Sequence, residues 1–171
     1  MDQTALILHV IFATILVGPQ VLLFFAVTPA SWVIEDHDLR TLVVRVIARR
    51  FAVMSGIALV ALLVTGLYQL TAITPDPIVE NMLDYRFGPI IVAKIVLVVV
   101  LVGLILLHGF VFAQRVAQVT EGVKSGERES WELDRARRNS LIFSGLIMLV
   151  SFVVLGLGVV LADHEYSYVL R

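Results

Sequence analysis

Four long apolar runs dominate this 171-residue sequence, at about 4–27, 51–70, 89–112 and 140–162. Each run holds about 20 residues or more, the length that an α-helix needs to cross a hydrocarbon core of about 30 Å. A helix satisfies its own backbone hydrogen bonds, so runs of this kind predict membrane-spanning helices. The sequence therefore predicts an all-α integral membrane protein, one domain (1–171) folded as an up-down bundle of four transmembrane helices, with both termini outside.

The composition narrows the possible functions. Hydrophobic residues make up 59% of the chain and charged residues 16%, which leaves little for a separate soluble domain. No cysteine is present, so disulfides, iron–sulfur clusters, thiolate copper sites and covalently attached c-type haem are excluded. The net charge of −1 gives no reason to expect a nucleic acid as partner. No basic segment precedes the first run, so we expect a retained span rather than a cleaved leader.

The basic residues predict the orientation. Four arginines lie in segment 29–50 and six lysines or arginines in segment 114–139, whereas segment 71–88 holds only Arg86. Because basic loops stay inside, we expect 29–50 and 114–139 to be cytoplasmic in a multi-pass protein of the plasma membrane. Within these loops, the pattern predicts an amphipathic inner helix at about 38–50. A solvated helix at about 127–138 is expected to lead into the fourth span.

Three ionisable residues lie inside the runs. His9 and Lys94 are each about five residues into a run that starts outside, so they should lie at similar depth. His108 follows Lys94 by 14 residues, which puts it on nearly the same helix face, about 21 Å further in. Ionisable groups inside a bilayer are costly, and they are functional candidates for that reason.

These residues favour a haem site. A histidine in a helical bundle is a common axial ligand of b-type haem, so His9 is predicted to bind the iron and Lys94 a propionate. His164 could be the second ligand if the tail folds back, and Tyr68, which ends the second run on the outer side, could bond to a ligand or quinone. His108 is a further candidate. Structural alternatives stay open. His9 could be a core histidine bonded to a neighbouring helix, and Lys94 could simply reach the interface. His108 could be an interfacial polar residue and His164 a solvated one.

Small residues predict where helices approach closely. Ser144, Ser151 and Gly158 recur every seven residues in the fourth run, and Thr65 and Gly66 lie in the second. Small side chains let membrane helices pack tightly. We interpret these positions as packing sites without a functional role.

Two stretches resemble known membrane families. Leu8-His9-Val10-Ile11, continuing to Val17-Gly18, resembles the opening of the copper-resistance-D (CopD) family and of the HemJ-type protoporphyrinogen oxidases. Arg50-Phe51 leading to Val64-Thr65-Gly66-Leu67-Tyr68, then Val92-Ala93-Lys94-Ile95 and His108, is similar to the second and third spans of those families. The resemblance covers about residues 8–112. It implies that His9 and Lys94 occupy positions linked to haem binding or activity in the HemJ-type proteins.

Two departures separate the chain from those activities. Segment 14–20 holds neither the tryptophan nor the basic residue usual in HemJ-type proteins. Soft thiolate and thioether ligands select Cu(I), yet the chain has no cysteine and four methionines.

The functional expectation is a haem b-binding membrane protein acting in electron transfer. It would be a subunit of a respiratory or quinone-linked complex, with the lipid bilayer, other membrane subunits or a second copy of itself as partners. One alternative is a protoporphyrinogen oxidase-like enzyme of haem biosynthesis, which would be a quinone-linked oxidoreductase. Another is a cofactor-free accessory subunit or a copper-related transporter. Whether the chain is an enzyme stays open.

Overall fold

Four long helices form the protein. The computed structural model describes residues 3–170, except for the side chain of His37. It is 89% helical, and the described part of the chain contains no strand. The four helices long and apolar enough to cross a membrane are α1 (Gln3–Trp32), α2 (Asp38–Ile73), α3 (Phe87–Lys124) and α4 (Ser130–Ala162). The predicted all-α protein with four spans is therefore confirmed.

The helices extend past the apolar runs on the arginine-rich side. The amphipathic segment 38–50 and the second apolar run form one continuous helix. Its start is fixed because Asp36 Oδ1 accepts hydrogen bonds from the backbone N–H groups of Asp38, at 2.8 Å, and Leu39, at 3.1 Å. The fourth run likewise continues a solvated segment that starts at Ser130. Between α3 and α4 the chain turns at Gly126, whose φ of +76° favours a residue without a Cβ atom.

Three of the helices change to π-helical winding near the end of their apolar part. These segments are Leu23–Val27 in α1, Gln69–Ile73 in α2 and His108–Ala113 in α3. Wider turns of this kind release backbone carbonyls from the regular pattern and often occur at functional positions. In α1 the Thr28 hydroxyl donates to one such carbonyl, that of Leu23, at 2.8 Å.

The described chain divides into two compact units, and the first contains α1 and α2. The two helices are antiparallel, because Gln69 near the end of α2 donates to the carbonyl of Ala5 near the start of α1, at 3.4 Å. His9 and Thr65 come next along the pair, joined at 2.8 Å. Leu16 and Ala58, both almost fully buried, continue the same register.

The second unit covers 91–158 and pairs α3 with α4. Lys94 lies against Gly158 and His108 against Ser144. Leu101 and Ser151 lie midway between these two contacts along their helices, and each is only 2% exposed. Beyond the apolar part, Val119 packs with Leu133 and Ala136 and holds the solvated ends of the two helices together. The seven-residue repeat of small residues thus runs along the contact between α3 and α4.

The segment after α4 returns to the first unit. Asp163 caps a short helix, His164–Ser167, and the Ser167 side chain is fully buried. The Arg86 backbone N–H donates to the carbonyl of Val169 at 3.0 Å, and Tyr85 forms a bridge with Leu170. The connection between α2 and α3, which contains the short helix Asp76–Glu80, is thereby fastened to the C-terminal segment.

Candidate functional site

His9 is the centre of a polar group in the first unit. Its half-buried ring lies between α1 and α2, and Nδ1 is 2.8 Å from Thr65 Oγ1. The Thr65 hydroxyl itself lies 2.7 Å from the carbonyl of Ala61, to which it donates. Since that hydroxyl has one proton, its oxygen accepts the hydrogen bond from His9 Nδ1–H.

This arrangement favours one tautomer of His9. With the proton on Nδ1, the lone pair of the imidazole falls on Nε2, the nitrogen that most often binds metals when the other is held by a neighbour. Gly66 lies beside the ring, because a Cβ atom at this position would be 3.3 Å from His9 Cε1. The α1–α2 pair therefore holds one imidazole in a fixed orientation with a metal-binding tautomer.

Tyr68 and Gln69 follow Thr65 and Gly66 near the C-terminal end of α2. The Tyr68 side chain is exposed, whereas Gln69 donates to the carbonyl of Ala5. Gln69 therefore connects the two helices four residues from His9 along α1. Tyr68 lies in the same turn of helix as the residues that contact His9.

His164 is placed in the C-terminal segment of the first unit. Its ring stacks on Tyr168 with centroids 4.6 Å apart and an interplanar angle of 7°. Tyr168 in turn meets Phe87 edge-on at 5.8 Å. The tail contacts the connection between α2 and α3, and the His164 ring takes part in an aromatic contact there.

Lys94 lies inside the second unit. A Cβ atom at Gly158 would be 3.2 Å from Lys94 Nζ, so the missing side chain of this glycine makes room for the amine. Within the described residues, no carboxylate lies within 4 Å of this amine. The half-buried Lys94 is thus a cation held inside a membrane span next to a helix backbone.

His108 occupies the other end of the same helix contact, 14 residues after Lys94. Its Nε2 is 3.4 Å from Ser144 Oγ, and that hydroxyl donates to the carbonyl of Ser140 at 3.0 Å. The ring is parallel to Phe143, at 6.1 Å and 4°. Nδ1 is buried and has no hydrogen-bond partner in the part of the chain that the structure describes.

The structure thus assigns the candidate residues to two units. His9, Tyr68 and His164 belong to the first unit, and Lys94 and His108 to the second. Among the described residues, no group of three or more His, Asp or Glu side chains is arranged to hold a metal ion.

Sequence reasoning missed three partners of these residues. Thr65, Ser144 and Gly158 were interpreted as packing positions, and each one contacts an ionisable side chain. One signal was present in the sequence. The 14-residue spacing from Lys94 to His108 equals that from Ser144 to Gly158, as expected of antiparallel helices in one register.

Comparison with known proteins identifies the family to which the chain belongs. Neither the curated proteins nor the solved structures give a match. The sequence model of one family, copper resistance protein D, matches residues 45–161. This match covers more than half of the chain and includes Thr65, Lys94, His108 and Ser144, whereas His9 and His164 lie outside it. Together with its four apolar helices, the match shows that this multi-pass membrane protein belongs to the copper resistance protein D (CopD) family.

Proposed function

We propose that the chain serves copper resistance by binding and passing on copper ions within the membrane. The observation that carries this proposal is the family match, which covers most of α2, all of α3 and nearly all of α4. Copper is here the cargo and not a resident cofactor. Imidazole nitrogen is a suitable ligand for copper, and His9 supplies one at the outer end of the first unit.

The sparse donor set suits transfer better than storage. The described residues offer no cluster of three His, Asp or Glu ligands, and the chain lacks cysteine. An ion that must move on has to be held weakly enough to leave. His9, with Nδ1–H bonded to Thr65, would present Nε2 to such an ion and release it without rearrangement of the helix pair.

The test uses a copper-sensitive host that expresses the full chain. We expect the wild-type protein to change survival in copper medium and the copper content of the cells. His9→Ala should abolish this effect, whereas the matched control His164→Ala should retain it, because that ring stacks on Tyr168 in the tail. A wild-type protein that alters neither survival nor copper content would refute the copper role.

A second candidate function is electron transfer through haem b. The tautomer of His9 favours it, since an axial haem ligand needs one imidazole with Nε2 available in an apolar bundle. The residues present fit this group: Thr65 would orient the ring, and Nε2 would hold the iron. Haem b, when bound, would supply one-electron chemistry. In this candidate we also propose His164 as the second ligand, with a quinone or another membrane subunit as electron partner.

A spectrum separates the two candidates. Membranes and purified protein would be compared as reduced-minus-oxidised visible spectra for the wild type, His9→Ala and His164→Ala. Sharp b-type bands that disappear in His9→Ala support the haem candidate. A protein without bands, in membranes that contain its native partners, refutes the haem candidate and leaves the copper proposal unaffected.

A further inference from the structure

At the solvated end of the second unit, the charged side chains lie at different distances from the apolar parts of α3 and α4. The apolar parts of α3 and α4 end at Phe112 and begin at Ser140. Four arginines lie within five residues of these boundaries: Arg115, Arg135, Arg137 and Arg138. Every carboxylate of this segment lies farther from them: Glu121, Glu127, Glu129, Glu132 and Asp134. Four arginines therefore lie at the base of the helix pair, and the carboxylates lie toward its tip with Lys124 and Arg128.

The arginines fall at the depth of lipid headgroups. At a rise of about 1.5 Å per residue, their Cα atoms lie within about 8 Å of the hydrocarbon boundary. The polar layer on each side of a bilayer is about 5–7 Å thick, and arginine side chains are long enough to adjust within it. The Cα atoms of the carboxylates lie farther from the boundary, the nearest being that of Asp134, one residue beyond Arg135.

Two of these arginines line one cavity between the helices. The cavity has a volume of about 280 Å³, with Arg115 on α3 and Arg135 and Asn139 on α4. Trp131, which is 55% exposed, forms part of its wall. The volume is near the lower end of that of small-molecule sites, about 300 Å³. The packing of Val119 against Leu133 and Ala136 holds the two walls together.

The lining of this cavity carries two arginines and one carboxylate, so its formal charge is positive. In the described part of the chain, no carboxylate lies within 4 Å of Arg115 or Arg135. Glu132 also lines the cavity, but its carboxylate lies 3.8 Å from Arg128. Two guanidinium groups thus converge on one space without an anionic partner.

We propose that this cavity binds the phosphate of an anionic phospholipid. Guanidinium groups match phosphate oxygens in a two-pronged geometry, and the Asn139 amide adds a donor. Trp131, which forms part of the cavity wall, would contribute an apolar surface beside the bound headgroup. The lipid would bridge α3 and α4 at the point where their apolar contact ends.

The test measures lipid binding to the full chain in detergent by native mass spectrometry. The probes are phosphatidylglycerol and phosphatidylcholine with identical acyl chains. Each basic residue near a membrane surface contributes about fivefold in anionic lipid affinity. We therefore expect Arg115→Gln/Arg135→Gln to weaken phosphatidylglycerol binding by roughly 25-fold. Phosphatidylcholine should bind more weakly, and equally to all variants.

The matched control is Arg40→Gln/Lys124→Gln, which removes two charges on the arginine-rich side that do not line the cavity. It should change phosphatidylglycerol affinity by less than about twofold. If both double variants lose the same affinity for phosphatidylglycerol, the effect depends on net charge alone and the proposal is wrong. Displacement of the lipid by soluble glycerol phosphate at similar concentration would also overturn it, since a free phosphate would then be the occupant. Circular dichroism of each variant verifies that the helices remain.

Discussion

Each unit pairs a histidine with a hydroxyl, but the two pairs use opposite nitrogens. In the first unit His9 bonds Thr65 through Nδ1, at 2.8 Å. In the second unit His108 approaches Ser144 through Nε2, at 3.4 Å. In both, the hydroxyl proton is directed to a carbonyl one turn earlier. The lone pair therefore falls on Nε2 of His9 and on Nδ1 of His108.

This difference separates two chemical roles that the sequence presents as equivalent. Nε2 is the imidazole nitrogen farther from the backbone, so a metal can approach it freely. Nδ1 is the nitrogen closer to the backbone. The Nδ1 of His108 is also buried beneath an aromatic stack with Phe112 and Phe143. The first unit is therefore suited to ligand binding, and the second to a packed polar contact.

The largest expected effect concerns the anchor of His9. Thr65→Val keeps the shape of the side chain and removes the oxygen that accepts from Nδ1–H. Partners of a metal ligand contribute about 10- to 100-fold in metal affinity, so copper retention should fall by that factor. The measurement is copper per protein after competition with a chelator.

Ser144→Ala is the control for this prediction, because it deletes the corresponding hydroxyl in the second unit. It should leave copper retention at the wild-type level. If both variants lose copper equally, the distinction between the two histidines fails.

The two histidines should also differ in the sign of their effect on stability. His108→Phe removes a buried nitrogen that has no partner and extends the stack with Phe112 and Phe143. We expect it to raise the free energy of unfolding by about 1 kcal/mol. His9→Phe loses an interhelical hydrogen bond and should lower that free energy by about 0.6 kcal/mol.

Unfolding of the metal-free protein in mixed micelles, followed by circular dichroism, measures both changes. The two shifts are expected in opposite directions. Shifts of the same sign would mean that the orphaned Nδ1 of His108 carries no cost.

The glycines beside the two ionisable residues give a smaller contrast. A Cβ atom at Gly66 would meet the rigid ring of His9 at 3.3 Å, whereas one at Gly158 would meet the flexible end of Lys94 at 3.2 Å. Gly66→Ala should therefore cost about 1 kcal/mol through overpacking. Gly158→Ala should remain within about 0.5 kcal/mol, because the amine moves aside. Unfolding in mixed micelles measures the free-energy change of both glycine variants. Equal changes would contradict the expected order.

The sequence allowed the spans to be predicted because about 20 apolar residues leave a helix as the one way to satisfy the backbone in lipid. His9 and Lys94 could be selected for the same reason, since charge in lipid is costly. The partners Thr65 and Ser144 could not be assigned, because they depend on which turns of two helices face each other. That register follows from the connections, such as the Asp36 cap and the positive φ of Gly126. The matching 14-residue spacings in α3 and α4 could have indicated it.

The smallest effect concerns the tail, which closes the first unit and has no counterpart in the second. Burial raises the pKa of the Tyr168 phenol above its ordinary value of 10.0, and a hydrogen bond with Thr74 lowers it in part. The raised pKa means that the neutral phenol is favoured in the folded tail. The resulting stability is complete below pH 10.0 and is lost as the pH rises through the higher folded value.

Hydrogen exchange of segment 163–170, corrected for intrinsic rates, measures this loosening between about pH 9 and 11. Tyr168→Phe should remove the additional alkaline exchange, because it has no proton to lose. An unchanged pH dependence in this variant would assign the loosening to another group.

The fastening of the tail also sets an order for the assembly of the protein. The second unit is one uninterrupted stretch, 91–158, and its two helices can pair as soon as both have entered the bilayer. The first unit recruits residues 159–170, including Val169, which accepts from the backbone of Arg86. Although α1 and α2 precede the second unit in the chain, the first unit cannot be completed until the ribosome has produced all four helices. The unit that contains α1 and α2 is therefore the last to complete its packing.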